Sequence, residues 1–286
     1  MRPALALAFL AACAPAPATP DAATAFGLLG DVPYSQAEAN LLDAELERMN
    51  AEPLAFVVHV GDITSSRGPC TDEWFEARQR QFARLRHPFV LLPGDNDWTD
   101  CHRSGFDPRE RLHAWRRLFC VPVALEGFER QPGSHCENVR WVAQDALFIG
   151  LHVTGSNNNL DRDPAEAAGR MQAVFAWLDE AERLARDRTL LVILMQANPF
   201  VAPRAGARDG FAELRARLAR LAVARPGRVV LVHGDTHRFR DDEPLPGLRR
   251  IEVWGSPHVR WLLARLVAGR FFLEQMPPAA PGAARL

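Results

Sequence analysis

The chain has 286 residues, 48% of them hydrophobic and 24% charged, with a formal net charge of −1. That length supports one large or two small domains with a sizeable core, and the balanced charge excludes both a global nucleic-acid footprint and an acidic disordered chain. Lysine is absent, which excludes Walker-type phosphate loops and Schiff-base chemistry, since both need its amine.

At the N-terminus, Met1-Arg2 precedes an apolar run, Ala4–Ala12. A membrane span needs about 20 such residues, so the run suits the hydrophobic region of a signal peptide over residues 1–12. Leu10-Ala11-Ala12-Cys13 resembles a bacterial lipobox, which marks Cys13 for lipidation. An ordinary signal peptide that happens to carry a cysteine is the alternative. Residues 13–24 are rich in Ala and Pro and read as a tether. The expected address is therefore export to the periplasm with a lipid anchor in a membrane.

From Ala25 onward, short β-rich runs alternate with amphipathic helical stretches, the pattern of an α/β layered fold. Ala25–Leu29 reads as a strand. Ser35-Gln36-Ala37-Glu38 is a capping box opening a helix with Leu42, Leu46 and Met49 on one face. Leu54–Val60 is the next strand, followed by a helix bearing Phe75, Phe82 and Leu85, and then by the strand Phe89–Leu92. Further helices fit Pro108–Phe119, Pro164–Ala185 and Gly210–Val223. Val139–Ala143 and Ala146–Val153 suggest a hairpin, while Leu190–Met195 and Arg228–Val232 read as buried strands. Arg249–Trp254, His258–Leu266 and Arg270–Glu274 read as consecutive strands. No internal repeat or domain boundary interrupts residues 25–276, and 277–286 read as a loose tail.

Beyond Cys13, four cysteines remain: Cys70, Cys101, Cys120 and Cys136. They permit three pairings in an oxidising compartment. Cys70 and Cys101 follow two strand ends expected on one edge, which favours Cys70–Cys101 with Cys120–Cys136.

Gly-Asp occurs four times, at Gly30-Asp31, Gly61-Asp62, Gly94-Asp95 and Gly234-Asp235, each after a strand-like run. Ligands of open α/β sheets bind beyond the carboxyl ends of strands, where a glycine lets the backbone turn. Carboxylates crowded there would have raised pKa values unless a cation compensated them. For a single pair, an Asx-turn that merely caps a strand is the simpler reading; four in this placement point to a metal centre.

In order and spacing, Gly30-Asp31-Val32-Pro33, His59-Val60-Gly61-Asp62, Gly94-Asp95-Asn96-Asp97 and Gly234-Asp235-Thr236-His237 resemble the calcineurin-like metallophosphoesterases. The resemblance spans about residues 25–270. It implies a four-layer αββα sandwich of two mixed sheets flanked by helices, with two metals that generate a hydroxide nucleophile and clamp phosphoryl oxygens. Asp31, Asp62 and His237 match ligand positions of the pattern. Asp95 stands where the family has Asn, Asp235 where it has His, and Gln196 in the region of an isolated His. Pro33 replaces a ligand His, and Asn96 replaces a proton-donating His.

The resemblance therefore implies a small phosphate mono- or diester as substrate and one or two divalent ions. The oxygen-rich donor set favours Mn²⁺ or Mg²⁺, with Ca²⁺, iron or Zn²⁺ as further candidates. Asn96 cannot transfer a proton, so Asp97 or His102 would have to help the leaving group. Tyr34, Arg103, His152, Asn158 and Arg238 are the candidate substrate contacts. The competing expectation is a non-catalytic metal- or ligand-binding lipoprotein that retains the fold. No G-x-S-x-G elbow is present to support a serine hydrolase.

Overall fold

The computed structural model describes residues 23–279. The expected signal peptide, Cys13, most of the tether and residues 280–286 lie outside the described residues. Twelve strands form two mixed sheets. The first runs β12-β11-β1-β2-β3, from β1 (Thr24–Leu29), β2 (Phe56–His59), β3 (Phe89–Leu91), β11 (Leu262–Val267) and β12 (Arg270–Gln275). The second runs β4-β5-β6-β7-β8-β10-β9. Its strands are β4 (Glu129–Arg130), β5 (Val139–Ala143), β6 (Ala146–Gly150), β7 (Leu190–Leu194), β8 (Val229–His233), β9 (Arg240–Leu245) and β10 (Leu248–Glu252). The strands β1, β2 and β3 pair in parallel, as do β6, β7, β8 and β10.

The period-two alternation of each strand sorts its side chains into separate cores. In β7, Leu190, Val192 and Leu194 face the space between the sheets, whereas Leu191 and Ile193 join a cluster on the opposite face. That opposite face is covered by α4 (Pro164–Leu184) and α5 (Ala212–Ala224), through residues such as Val174, Leu178, Leu214 and Leu218. The outer face of the other sheet is covered by α1 (Gln36–Ala51), α2 (Asp72–Phe82) and α3 (Pro108–Phe119), through Leu42, Leu46, Phe75 and Trp115. The result is a four-layer αββα sandwich. Aromatic rings fill its centre: Phe26 stacks on Phe56 at 4.8 Å, and Phe148 stacks on Trp141 at 5.1 Å.

Helix caps follow the sequence chemistry. Ser35 accepts from the Glu38 N–H and Asp107 from the Glu110 N–H, each satisfying an orphan donor of the first turn. The disulfides pair Cys70 with Cys101 and Cys120 with Cys136. No helix among the described residues is long and apolar enough to cross a membrane.

Arg249–Trp254 and the two strands after it are consecutive in the chain, as expected, but they divide between the sheets: β10 lies in the seven-stranded sheet, while β11 and β12 complete the five-stranded one. Between them the chain crosses from one sheet to the other. The polar segment Arg240–Leu245 is also a strand, paired at the sheet edge with β10, where side chains need no apolar partner.

Candidate metal centre

All four Gly-Asp pairs lie beyond the C-terminal ends of parallel strands, on one edge of the sandwich. Asp31, Asp62 and Asp95 follow β1, β2 and β3, and Asp235 follows β8. Asp31, Asp62 and Asp95 are buried, and Asp235 is half-buried. The strained residue of three pairs is the aspartate itself, with φ of 51° at Asp31, 61° at Asp62 and 81° at Asp235, a left-handed region that Asp tolerates better than most residues. The glycines serve a neighbour instead. A Cβ on Gly94 would lie 2.0 Å from Asp62 Oδ1, and one on Gly234 would lie 2.1 Å from Asp31 Oδ2. Each of these two glycines leaves room for another pair's carboxylate.

The hydrogen bonds interlock the two sheets. The Asp235 N–H donates to both oxygens of Asp31, at 3.0 and 3.1 Å, and the Asn96 N–H donates to Asp62 Oδ1 at 2.9 Å. On Asp62 Oδ2, the Gln196 amide donates at 2.9 Å and the Tyr34 hydroxyl at 3.3 Å. Tyr34 Oη lies 3.1 Å from His237 Nε2, and the Asn96 side-chain amide donates to it at 3.1 Å. His237 Nδ1 donates to the Ser256 carbonyl at 2.8 Å, which leaves Nε2 as a lone pair 3.8 Å from Asp31 Oδ1.

Burial, and then the charges of neighbouring aspartates, push Asp31 and Asp62 well above the usual carboxylate range. Asp235 is pushed up to about 7 by burial and then by Asp95. Among the described residues, the arginine lining the cleft with these carboxylates is Arg103, which pairs with Asp100 at 2.5 Å rather than with any of them. Burial also lowers the pKa of His237, so the imidazole brings no positive charge. By charge and by donor type the cluster fits a hard divalent cation. It is not preassembled for one ion or for two. Among the described residues, the one set of three His, Cys, Asp or Glu ligand atoms within 4.8 Å of one another is Cys120, Cys136 and Glu137, and both its cysteines are spent in a disulfide.

Other expected site residues divide into those at the cleft and those that are not. Asn96 and Tyr34 line a cleft of about 340 Å³ together with Asp62, Asp95, Asp235 and His237. His102 and Arg103 line the adjoining cleft of about 420 Å³. Asp97 lines neither; its carboxylate accepts from the N–H groups of Asp62, Ile63 and Gly94 at 2.8–3.1 Å, so it holds the loop and does not face the cleft. His152 is buried 3.2 Å from Glu137 and packs edge-on against Trp98, away from both clefts. Asn158 is spent on Arg170 and the Gly210 carbonyl. Arg238 lines neither cleft. Gln196 also departs from expectation: its oxygen accepts from the Gly155 N–H at 2.6 Å, so it turns its NH₂ towards the carboxylates.

Two participants escaped the sequence reading. Ser156 Oγ donates to Asp95 Oδ2 at 2.7 Å and lies 3.1 Å from both oxygens of Asp100. Asp100 is a fifth buried carboxylate at this edge, raised to about 7 by burial and then by Asp95. Ser156 sits in a run of four left-handed residues, 156–159, with φ between 48° and 59°. That turn brings Gly155 so close that a Cβ there would lie 2.6 Å from Asp235 Oδ1. The three consecutive asparagines, 157–159, were the available signal, because Asn is enriched in this backbone region.

No family model matches the sequence, and neither does any curated protein. Solved structures do match the fold. A dimetal phosphatase from Danio rerio superposes with a TM-score of 0.60 at 15% identity, covering 88% of this chain and 95% of that one. GAP50, the anchor in the inner membrane complex of Plasmodium, gives 0.58 at 12% identity over 90% and 85% of the two chains. The purple acid phosphatase PPD1 from yellow lupin (Lupinus luteus) seeds gives 0.58 at 13% identity, over 89% of this chain and 51% of that one. Two mixed sheets between helical layers, with aspartates at the strand ends, thus give this chain the fold of these dimetal and purple acid phosphatase structures.

Proposed function

We propose that this chain is a cation-dependent hydrolase of phosphate esters that acts at the cell envelope, anchored through Cys13. One observation carries the reading: Asp31, Asp62, Asp95 and Asp235 converge without a compensating guanidinium beside an open cleft. Burying so much negative charge without a partner is costly, and a divalent cation relieves it. Asp31, Asp62 and His237 would hold the ion, with Asp95 and Asp235 adding negative charge nearby. A divalent ion bound there supplies Lewis acidity and lowers the pKa of water.

The chain's own residues supply the rest. The two clefts share Asp100, Arg103, Ser156 and Asp235, so a ligand in the larger one reaches the carboxylates. Arg103, Arg162 and Arg204 are exposed around the larger cleft, and Val201, Pro203 and Phe211 give it an apolar wall. That combination suits an anionic ester: arginines hold phosphate oxygens, and the wall takes the organic group. His102 donates or accepts through Nε2, because Nδ1 is engaged with the Thr99 carbonyl at 2.7 Å. It is the candidate for the proton-carrying role that Asn96 cannot fill. The two disulfides suit export to an oxidising compartment.

The test is turnover of phosphomonoester and phosphodiester model substrates with Mn²⁺, Mg²⁺ or Ca²⁺, with Asp62→Asn as the control. Cation-dependent turnover that disappears in Asp62→Asn supports the enzyme. Thermal stabilisation by cation without turnover over a broad panel would instead favour a binding protein. That second reading draws its own support from Pro33 and Asn96, neither of which can replace the histidine expected at its position.

A further inference from the structure

We infer that the centre takes a single cation, and that the Gln196 carboxamide fills the place a second would need. The inference rests on reading the cleft as a cation site. It begins with the direction of one amide. The Gly155 N–H can only donate, so the oxygen of Gln196 must face it at 2.6 Å, and the NH₂ then points at Asp62 Oδ2, 2.9 Å away. Gln196 is fully buried and cannot swing clear. A Cβ on Gly61 would lie 2.8 Å from its Cβ and Cγ, and one on Gly94 would lie 2.7 Å from its Cγ. The two glycines thus clamp its stem, and the Gly155 N–H fixes its head.

Asp62 shows the consequence. A carboxylate that bridges two ions turns lone pairs towards both. Here Oδ1 already accepts the Asn96 N–H, and Oδ2 accepts the Gln196 amide. The other carboxylates on that side are also served by protein donors: Asp235 Oδ2 takes the Asn198 N–H at 2.9 Å, and Asp95 Oδ2 takes the Ser156 hydroxyl. Neutral donors therefore do on this side what an ion would otherwise do.

On the opposite side Asp31 has the Asp235 N–H on both oxygens, but no cation faces it. His237 Nε2 and Asp31 Oδ1, both acceptors, face each other at 3.8 Å. Two ligands of one ion, each about 2.0–2.2 Å from it, stand at comparable separations. The Tyr34 hydroxyl brings one proton for two acceptors, His237 Nε2 and Asp62 Oδ2; Asp62 Oδ2 also has the Gln196 amide, so His237 Nε2 is the acceptor that goes without when Tyr34 donates to Asp62. A single ion between Asp31 and His237 completes the arrangement, with Asp62 a third ligand once its carboxylate draws closer than it stands.

The test is to load the full chain with excess Mn²⁺, remove free metal, and measure the metal-to-protein ratio and the electron paramagnetic resonance spectrum. One ion per chain with the six-line signal of isolated Mn²⁺ is expected. Gln196→His, which replaces the donor by a ligand, is expected to bind a second ion and to show an exchange-coupled spectrum. Two ions in the unaltered chain would overturn the inference and leave the cation-dependent reading intact. No bound ion would overturn both. A Gln196→His protein that stays at one ion would refute the role given to Gln196, and if that variant fails to fold, the ratio and spectrum of the unaltered chain decide the matter.

Discussion

Glu137 and Asp62 are both buried acids, and their surroundings treat them in opposite ways. Glu137 Oε1 lies 2.5 Å from Arg116 Nη2 and 3.2 Å from His152 Nδ1. Burial works to raise its pKa, but His152 and Arg116 outweigh it and bring it down to about 2. Asp62 meets the same burial with Asp95, Asp97 and Asp31 around it, so its pKa rises instead. The cost of desolvation is common to both; what differs is whether the fold carries its own cation. A carboxylate with an internal guanidinium is a structural element, whereas a group of carboxylates without one awaits a cation from solution.

The widest gap between the two regions should appear in stability. Arg116→Ala strands Glu137 in the interior and should cost about 3–5 kcal/mol in urea unfolding. In the same cation-free assay Asp62→Asn should be neutral or stabilising, because it removes a repelling charge. If both variants destabilised equally, the contrast drawn between the regions would be wrong. A smaller effect is expected from the cation itself. Mn²⁺ at about 100 times its dissociation constant should add about 2.7 kcal/mol, and Asp31→Asn should abolish that gain without changing the cation-free midpoint by as much.

Next comes pH, where the two regions should respond with opposite signs. Asp31, Asp62 and Asp235 have folded pKa values above those of the unfolded chain, so between the two values the folded state binds more protons. Their contribution is therefore full below about pH 3.8 and is lost as pH rises through the folded values, which for Asp235 is about 7. Glu137 is depressed, so its contribution is present above its unfolded value of 4.5 and is lost as pH falls towards about 2. Cation-free protein should accordingly lose stability from mild acid to neutrality, and saturating cation should flatten that decline. A profile indifferent to cation would count against the uncompensated cluster. The smallest effect belongs to Arg103, whose solvent-screened guanidinium pairs with the buried Asp100 and should be worth about 1 kcal/mol. Arg103→Ala should leave the unfolding midpoint nearly unchanged and raise KM for anionic esters; an unchanged KM would remove Arg103 from the substrate contacts.

Much of this molecule was legible from local pattern. The apolar run at Leu190–Met195 reads as a buried strand because both of its faces are covered, and β7 is where the two cores meet. Cys70 and Cys101 were expected together because each follows a strand end on one edge, and they are bonded. Asp100 was not legible. It lies in a 3₁₀ turn, Thr99–Ser104, that sets it beside Asp95, and its contact with Ser156 depends on a left-handed turn 56 residues away in sequence. The sheet change between β10 and β11 was likewise hidden, because a strand's side-chain period carries no information about which sheet it will join.

The sequence by itself determined the layered α/β order, the capping box at Ser35 and the placement of four aspartates at strand ends. These follow from periodicity and from chemistry within a few residues. Only the tertiary structure decided which of those aspartates are already satisfied. The direction of the Gln196 amide, the lone pair of His237 facing Asp31, and the arrival of Ser156 at Asp95 all depend on donors and acceptors from distant segments meeting within about 3–4 Å. Aspartate at a strand end is a property of the chain. Whether it holds a proton, an amide or a metal ion is settled by its neighbours in space.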